Sequence, residues 1–420
     1  MIEVDISHIW GGLSLPDLLE VERDIAAAHE TLAGGEAEFC LGCDGETAER
    51  IARTADRIRE NSELCVVVGA EGICRGIRGV LELVQRSDRE PEKQQYPRLL
   101  FAGDSLSTRS WNALTARLEG KDFSVIVISR YGTVPQSAIA LRGLRWMLER
   151  RYGTEDARSR IVVVTHPEEG ALGKQAALLG WEQFSLPRDM EERFALLSPG
   201  GLLPLAVAGV DIAALLRGAG DAASRYALRS FENPLWLYVG GRSALQRRGR
   251  AAEMLVSPEP CVRELAQWWQ QLFVPVEDCT VPGLMSLSGD FYGSPGGNAS
   301  SRFETALCFE SREPEYTIVS DIEDADGMNA LAGKSLALVQ ERAVEALMET
   351  HADSGVPVMV IRCDGMDAEQ VGDVVYFFVA AVGLSNLLLG GSSFGPWEKA
   401  APGQPAAAAE TAGEDGTPDT

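Results

Sequence analysis

Four apolar runs between residues 64 and 166 constrain the fold of this chain more than any other feature. They read LCVVVGAEG, RLLFAGDSLS, FSVIVISRYG and RIVVVTH, and their apolar residues are consecutive rather than alternating with polar ones. Helical patterns, such as that of Ser137–Arg151, separate them. Buried strands that alternate with helices indicate a parallel sheet covered by helices on both faces. The sequence therefore predicts a doubly wound α/β domain here.

A second group of strand-like runs begins near Glu232 and reads LWLYVGG, YTIVSDI and VPVMVIRCD. Helical patterns at Glu264–Phe273 and Lys334–Thr350 lie between these runs. We therefore predict a second α/β unit. The predicted fold class is α/β, with two doubly wound parallel-sheet units of three αβα layers each. Such folds bind ligands at the carboxyl ends of their strands or between the domains.

Changes in composition and periodicity divide the chain into four predicted parts. Residues 1–55 are an N-terminal helical segment, 56–225 the first domain, 226–398 the second domain, and 399–420 a tail. The tail is rich in Ala, Pro, Gly and acidic residues and has no apolar period. Such a composition cannot bury enough apolar surface to fold, so the tail is predicted to be disordered.

The charge of the chain limits its possible partners. The net charge is −24, from 62 acidic and 38 basic residues, which argues against nucleic acid or an anionic membrane as a partner. A few local basic groups are still enough to bind a phosphorylated small molecule at close range. Residues 1–10 contain Glu3 and Asp5 and no basic stretch, so we expect no secretory signal and a cytoplasmic location.

One uncharged stretch, Val374–Phe394, is long enough to span a membrane. It contains Asn386 and several Ser and Gly residues, and no basic flank sets an orientation. We therefore predict a buried core helix followed by a turn. Of the eight cysteines, only Cys40 and Cys43 form a C-x-x-C pair, and the four histidines are dispersed. Since no zinc ligand set follows, we predict free thiols in a reducing compartment and no metal.

Two turns after predicted strands are candidate anion sites. VVVGAEGICRGI places Gly69, Gly72 and Gly76 between a strand and a helix, where glycines let backbone N–H groups approach an anion. The alternative is tight packing of the strand against the helix. ISRYGTVPQS offers Ser129, Arg130 and Thr133 to a phosphate, and its alternative is an ordinary N-capped turn.

Two further segments carry residues of note. RDMEERFALLS places Arg193 just before an apolar helix, where a guanidinium could stabilise negative charge that develops in a reaction. The alternative is a surface ion pair between Arg193 and Glu191 or Asp189. AQWWQQLF has adjacent Trp268 and Trp269 on a predicted helix, and aromatic residues in that setting are typically part of the core.

Taken together, the motifs resemble one family, phosphoglucose isomerase in its shorter bacterial form, built from two sugar-isomerase (SIS) domains. The resemblance runs from about Cys40 to about Phe394. The matching segments are VVVGAEGICRG, VIVISRYGTVPQSAIALR, FSLPRDMEERFALLSPGGLLPLAVAGVDIAALLRGA, AQWWQQLF, NALAGKSLALVQERAVEALMETHADSGVPVMVI and VVYFFVAAVGLSNLLLGG. Several motifs in the same order are far more specific than any one of them.

The resemblance implies aldose–ketose isomerisation of glucose 6-phosphate and fructose 6-phosphate, with no cofactor and no metal. It also implies a phosphorylated sugar as ligand and a homodimer. The implied phosphate- and substrate-binding residues are Gly72, Ser129, Arg130, Gly132 and Thr133. The implied catalytic residues are Arg193, Glu277 and Lys399.

The chain departs from the family pattern at several of these positions. Arg130 replaces a lysine, Glu191 and Glu192 replace two glycines before Arg193, and Pro275 stands where the family has its catalytic glutamate. No histidine lies between His166 and His351, so the family's ring-opening histidine is missing. Two functions stay open, a divergent isomerase and a non-catalytic protein that binds a sugar phosphate or a protein partner. A weaker third possibility is an isomerase or deaminase of another sugar phosphate.

Overall fold

A computed structural model describes most of the chain. The described residues are 1–10, 12–32, 43–85, 96–166, 169–187, 190–250, 252–277, 285–290, 301–310, 314–391 and 394, with 274–277 and 285–290 described by their backbone alone. The elements up to residue 185 are β1 (Ile2–His8), α1 (Leu15–Thr31), α2 (Gly45–Asn61), β2 (Leu64–Val68), α3 (Glu71–Val84), β3 (Arg98–Ala102), α4 (Thr108–Leu118), β4 (Phe123–Ile128), α5 (Pro135–Ser159), β5 (Ile161–Thr165), α6 (Gly170–Leu179) and β6 (Glu182–Ser185).

A 3-10 segment, Glu192–Leu197, separates these elements from the second half of the chain. The remaining elements are α7 (Pro199–Val207), α8 (Ile212–Tyr226), α9 (Pro234–Arg247), β7 (Ala252–Ser257), α10 (Arg263–Glu277), β8 (Met285–Asp290), β9 (Arg302–Phe309), α11 (Leu336–Asp353), β10 (Val358–Cys363) and α12 (Ala368–Leu388).

The first sheet has the strand order β3-β2-β4-β5-β6, and all of its pairs are parallel. Side chains along a strand point to alternate faces, and here the two faces belong to two different cores. Val67 and Ile126 pack in the larger core with α2, α3 and α7. Val66 and Val125 pack in a second core with α4, α5 and α6. This double covering explains the consecutive apolar residues and confirms the predicted doubly wound unit.

The second sheet has the order β1-β10-β9-β7-β8. Strand β1 pairs antiparallel with β10, and the other pairs are parallel. The prediction of a wholly helical segment for residues 1–55 is therefore wrong at Ile2–His8. That strand satisfies its backbone hydrogen bonds against β10, which comes near the other end of the chain.

Two strand predictions in this half are also wrong. LWLYVGG lies inside α9, where Asn233 caps the helix by accepting the N–H of Leu235 and Pro234 takes the first helical position. A short buried apolar run does not distinguish a helix from a strand. YTIVSDI makes one isolated bridge, Thr317 to Ser335, and leaves Ile322 exposed. By contrast, VPVMVIRCD forms β10 as predicted.

Helix α12 is the one helix of the described residues that is long and apolar enough to cross a membrane. In the structure, 89% of an apolar 18-residue stretch of this helix is buried inside the protein. It packs in the larger core, which contains residues of both sheets. The prediction of a buried core helix is therefore confirmed for Ala368–Leu388.

Candidate functional site

The two predicted anion turns follow neighbouring strands. Strand β2 pairs in parallel with β4, Val68 opposite Val127, so the turn at Gly69 and the loop after Ile128 begin at the same edge of the first sheet. The carboxyl edge of a parallel sheet is where doubly wound folds place ligands. Both turns therefore lie at the edge of the sheet where a ligand can bind.

Strand β5 and helix α6 fix the loop that follows β4. Ser129 is buried, its backbone N–H donates to the carbonyl of Val164 at 3.1 Å, and its hydroxyl accepts the N–H of Gly132 at 3.1 Å. Gly132 has a φ of +69°, and a Cβ there would lie 2.5 Å from the Cβ of Leu172. No residue but glycine fits this position without strain. The loop is thus held in one shape.

The loop leads directly into the first turn of α5. The N-cap is Val134, which makes no side-chain cap, and Pro135 takes the first helical position. Neither Ser nor Thr caps α5, but the hydroxyl of Ser129 caps the turn before it by accepting the N–H of Gly132, and Thr133 is exposed. The alternative of an ordinary capped turn therefore holds for Ser129. First-turn amides have no partner within their own helix. An uncapped start of this kind is suited to an anion.

Gly72, in the first turn of α3, brings three segments together. A Cβ at Gly72 would lie 2.8 Å from the Cβ of Arg193 and 4.0 Å from the Cβ of Gln271. A Cβ at Gly76 would lie 2.9 Å from the indole of Trp268. These two glycines are therefore packed tightly, but against α10 and the Arg193 segment rather than strand against helix as the alternative had it. A binding role for Gly72 stays a prediction.

Helix α10 runs antiparallel to α3. Residues later in α3 contact residues earlier in α10, since Gly72 faces Gln271 and Gly79 faces Leu265. The last turn of α10 therefore continues past the first turn of α3 toward the carboxyl edge of the first sheet. The backbone of Glu277 ends this helix. The backbone of Glu277 therefore lies toward the carboxyl edge of the first sheet, where the two predicted anion turns begin. The side chain of Glu277 is outside the described part of the structure.

Arg193 is the second residue of the 3-10 turn, lies beside Gly72 and is largely buried. Its carbonyl accepts the indole N–H of Trp268 at 3.0 Å, and both Trp268 and Trp269 are fully buried, as predicted. Its guanidinium lies 4.8 Å from the centre of the Phe194 ring. Phe194 in turn packs on Phe394, at 5.6 Å between ring centres. Lys399, five residues further on, lies outside the described residues.

Glu191 forms the ion pair that we predicted as the alternative role of Arg193. Its Oε2 atom lies 2.9 Å from Nη2 of Arg193, and the exposed fractions of the two side chains are 23% and 14%. The pair is thus partly buried rather than at the surface. Burial raises the pKa of the Glu191 carboxyl above its ordinary value, although Arg193 and Arg130 act to lower it. Burial likewise lowers the pKa of Arg193.

Glu192 joins the 3-10 turn to the loop after β4. Its Oε1 atom accepts the backbone N–H of Arg130 at 2.9 Å. The guanidinium of Arg130 lies 4.8 Å from the centre of the Tyr131 ring. Among the described residues, the Nε atoms of Arg130 and Arg193 are both buried without a hydrogen-bond partner. Sequence reasoning missed the Glu192 contact, for which the only signal was the pair of acidic residues before Arg193.

We call Gly72, Ser129, Arg130, Gly132 and Arg193 the arginine site. The structure gathers these five predicted residues, with Thr133 exposed next to them, and their roles stay predictions. No group of His, Cys, Asp or Glu in the described part of the chain could hold a metal ion. The described cysteines are free thiols, and Cys40 lies outside the described residues.

Comparisons with known proteins give a consistent result. No family model matches the chain. A Bacillus thuringiensis (strain Al Hakam) glucose-6-phosphate isomerase is 35% identical over 386 residues, which are 88% of this chain and 85% of the relative. A Bacillus cytotoxicus glucose-6-phosphate isomerase is 36% identical over the same shares.

Two solved structures share the fold. A hypothetical protein from Thermus thermophilus has a TM-score of 0.78 at 21% identity, over 94% of this chain and 96% of that one. A glucose-6-phosphate isomerase from Chlamydia trachomatis has a TM-score of 0.65 at 15% identity, over 83% of this chain and 70% of that one. These likenesses confirm the predicted fold class.

Proposed function

Because the chain belongs to the glucose-6-phosphate isomerase family, we propose that it binds a hexose 6-phosphate at the arginine site and interconverts glucose 6-phosphate and fructose 6-phosphate. One observation carries the proposal. Arg193 is held between Gly72 of α3 and Trp268 of α10, and Glu192 connects its segment to the loop of Ser129 and Arg130. The implied cation for the reacting carbons and the implied phosphate loop are therefore neighbours.

The proposed chemistry divides between two parts of the site. The phosphate is bound by the loop after β4, with Thr133 and the first turn of α5 as donors and Arg130 as a cation. At the sugar's other end, a carboxylate takes the proton from C2 of open-chain glucose 6-phosphate and returns it to C1, while a second proton passes from the C2 hydroxyl to the C1 oxygen. Arg193 stabilises the negative charge of the enediolate between these steps. We assign the carboxylate to Glu277 and a supporting cation to Lys399, and the reaction needs no co-reactant.

A second candidate function is sugar-phosphate binding without isomerisation. It is favoured by Pro275 at the position of the family's catalytic glutamate and by the absence of any histidine between His166 and His351. Removal of a positioned base reduces a rate by about 10²–10⁴-fold. For both candidates we also propose the homodimer that the resemblance implies and the cytoplasmic location that we expect from the sequence.

A coupled assay tests the proposal by following glucose 6-phosphate formed from fructose 6-phosphate. Arg193→Ala is expected to lower kcat/KM by about 10²–10³-fold, the effect of losing one group that stabilises developing charge. Arg145→Ala is the matched control, because Arg145 also pairs with a glutamate, Glu149, at 2.6 Å on α5. Equal rates for the wild type and Arg193→Ala would sink the isomerase proposal.

Thermal-shift titration with 6-phosphogluconate separates the two candidates. A shift without turnover supports binding alone. No shift at millimolar ligand, together with no turnover, contradicts both candidates and leaves a role in contacting a protein partner. The same titration on Arg145→Ala shows whether any loss in Arg193→Ala is specific to the site.

A further inference from the structure

Two consecutive glutamates accept hydrogen bonds from donor groups of the arginine site. Glu192 accepts the backbone N–H of Arg130, which opens the loop after β4, and Glu191 pairs with the guanidinium of Arg193 beside Gly72. Both donors belong to residues that we assign to the ligand. The chain therefore places a carboxylate of its own on each of them.

The contacts that Glu191 and Glu192 make with Arg193 and Arg130 depend on the local packing and do not simply follow from the acidic composition of the chain. The 3-10 turn is packed tightly, since Arg193 contacts Gly72 and its carbonyl is bonded to Trp268. This packing therefore holds the backbone of Glu191 and Glu192 in place. Their distances, 2.9 Å to Arg193 Nη2 and 2.9 Å to the Arg130 nitrogen, are those of charge-assisted hydrogen bonds.

A phosphate that binds at the Arg130 amide meets two obstacles. It must displace the Glu192 carboxylate from the Arg130 amide, and it must approach two negative charges in a partly buried setting. A carboxylate within about 4 Å of a bound phosphate repels it strongly enough to raise its dissociation constant about tenfold. The obstacle is larger for a dianion than for a monoanion of the same shape.

We propose that Glu191 and Glu192 form a built-in carboxylate pair that opposes an anionic ligand. Glu192 competes with the ligand's phosphate for the Arg130 amide, and Glu191 occupies the Arg193 guanidinium at the other end of the sugar. The pair thereby determines the charge of the ligand that the site accepts. This inference rests on the proposed function, because it concerns the same site and the same class of ligand. It extends that function by naming the two residues that set the affinity.

Calorimetric titration of the full chain with inorganic phosphate and with fructose 6-phosphate tests the proposal. Glu191→Gln and Glu192→Gln are each expected to bind both probes about tenfold more tightly than the wild type. Glutamine keeps a carbonyl acceptor for the Arg130 amide, so Glu192→Gln removes the charge and preserves the contact. Glu192→Ala removes both and is expected to bind at least as tightly as Glu192→Gln.

Glu149→Gln is the control, because Glu149 pairs with Arg145 on α5, about 20 Å along that helix from its first residue. Its dissociation constants are expected to equal those of the wild type. Unchanged or weaker binding in both Glu191→Gln and Glu192→Gln, with folded protein by circular dichroism, overturns the inference. If Glu191→Gln fails to fold, Glu192→Gln decides alone.

The outcomes separate this inference from the proposed function. A wild type that does not bind fructose 6-phosphate, beside glutamine variants that do, supports the carboxylate pair and contradicts the proposed function. A wild type that binds and isomerises, with variants of unchanged affinity, supports the function and contradicts the pair. No binding of either probe by any variant contradicts both.

Discussion

The indole N–H of Trp268 donates a hydrogen bond to the backbone carbonyl of Arg193, 3.0 Å away. Trp268 belongs to α10 and Arg193 to the 3-10 turn, so this bond joins two segments that are distant in the sequence. Both residues also contact glycines of α3, Gly76 and Gly72. The position of the proposed catalytic arginine therefore depends on how α3 and α10 pack.

Trp268→Phe is expected to weaken binding of fructose 6-phosphate several-fold and to lower the free energy of unfolding by about 1–3 kcal/mol, because it leaves a buried carbonyl without its donor. Trp269→Phe is the matched control, since it also removes a buried indole donor, in this case from the hydroxyl of Tyr238. Urea unfolding and calorimetry measure the two effects. Similar losses of binding in both variants would show that the Trp268 bond does not position Arg193.

Gly72→Ala is expected to displace Arg193, because the new Cβ would lie 2.8 Å from the Cβ of Arg193. Overpacking of this kind costs about 1–3 kcal/mol of stability, and we expect ligand affinity to fall by more than tenfold. Gly220→Ala in α8 is the control, since nothing lies within 4 Å of its Cβ position, and it should stabilise that helix by about 0.5–1 kcal/mol. Normal affinity in Gly72→Ala would refute the close approach as a functional constraint.

The stability of the protein should depend on pH through Glu191. Its pKa is raised in the folded state, mainly by burial, with Arg193 and Arg130 opposing this and Glu192 adding to it. A raised carboxyl pKa contributes stability below the unfolded pKa, and that contribution is lost as the pH rises through the folded pKa. The wild type is therefore expected to lose stability relative to Glu191→Gln as the pH rises above the ordinary range of glutamic acid. Urea unfolding of both proteins between about pH 4 and pH 7 measures the difference, and a constant difference contradicts the prediction.

A buried network in the second unit predicts a large effect of one substitution. Glu253 is fully buried between α9 and β9, where it accepts hydrogen bonds from Arg242, Tyr238 and Thr305. Glu253→Ala removes a buried carboxylate that pairs with Arg242, and breaking a buried ion pair costs about 3–5 kcal/mol in the free energy of unfolding. Glu149→Gln, which breaks an ion pair on α5, should cost less than about 1 kcal/mol. Chemical denaturation tests both, and a small loss for Glu253→Ala would mean that water satisfies Arg242.

The first sheet was predictable from the sequence because its strands are covered on both faces and show consecutive apolar residues. The second sheet was less predictable from the sequence. Strand β9 carries Glu304 and Thr305 into the interior, where they bond His351 and Glu253, so its sequence lacks an apolar run. The run LWLYVGG is apolar for a different reason, since α9 is buried on most of its surface.

The arginine site was predictable at Gly72, Arg193 and the loop after β4 because short motifs carry those residues. The contacts that join the motifs were not. The Glu192 bond to Arg130 and the Trp268 bond to Arg193 connect residues far apart in the chain, and nothing local in the sequence encodes such a pair. The alternative role of Arg193 did name Glu191, but it placed the ion pair at the surface, whereas the structure has it partly buried.

The pairing of β1 with β10 has a consequence for how the protein is made. Ile2 pairs with Cys363, so β1 cannot pair with its partner strand until β10, the last strand of the described residues, has left the ribosome. At ordinary rates of synthesis this delay is on the order of tens of seconds. During that time the first unit, whose strands are close together in the sequence, can complete its sheet, while β1 remains an unpaired edge. Such an edge is a template for wrong pairing, so molecules whose synthesis stops before β10 are those we expect to aggregate.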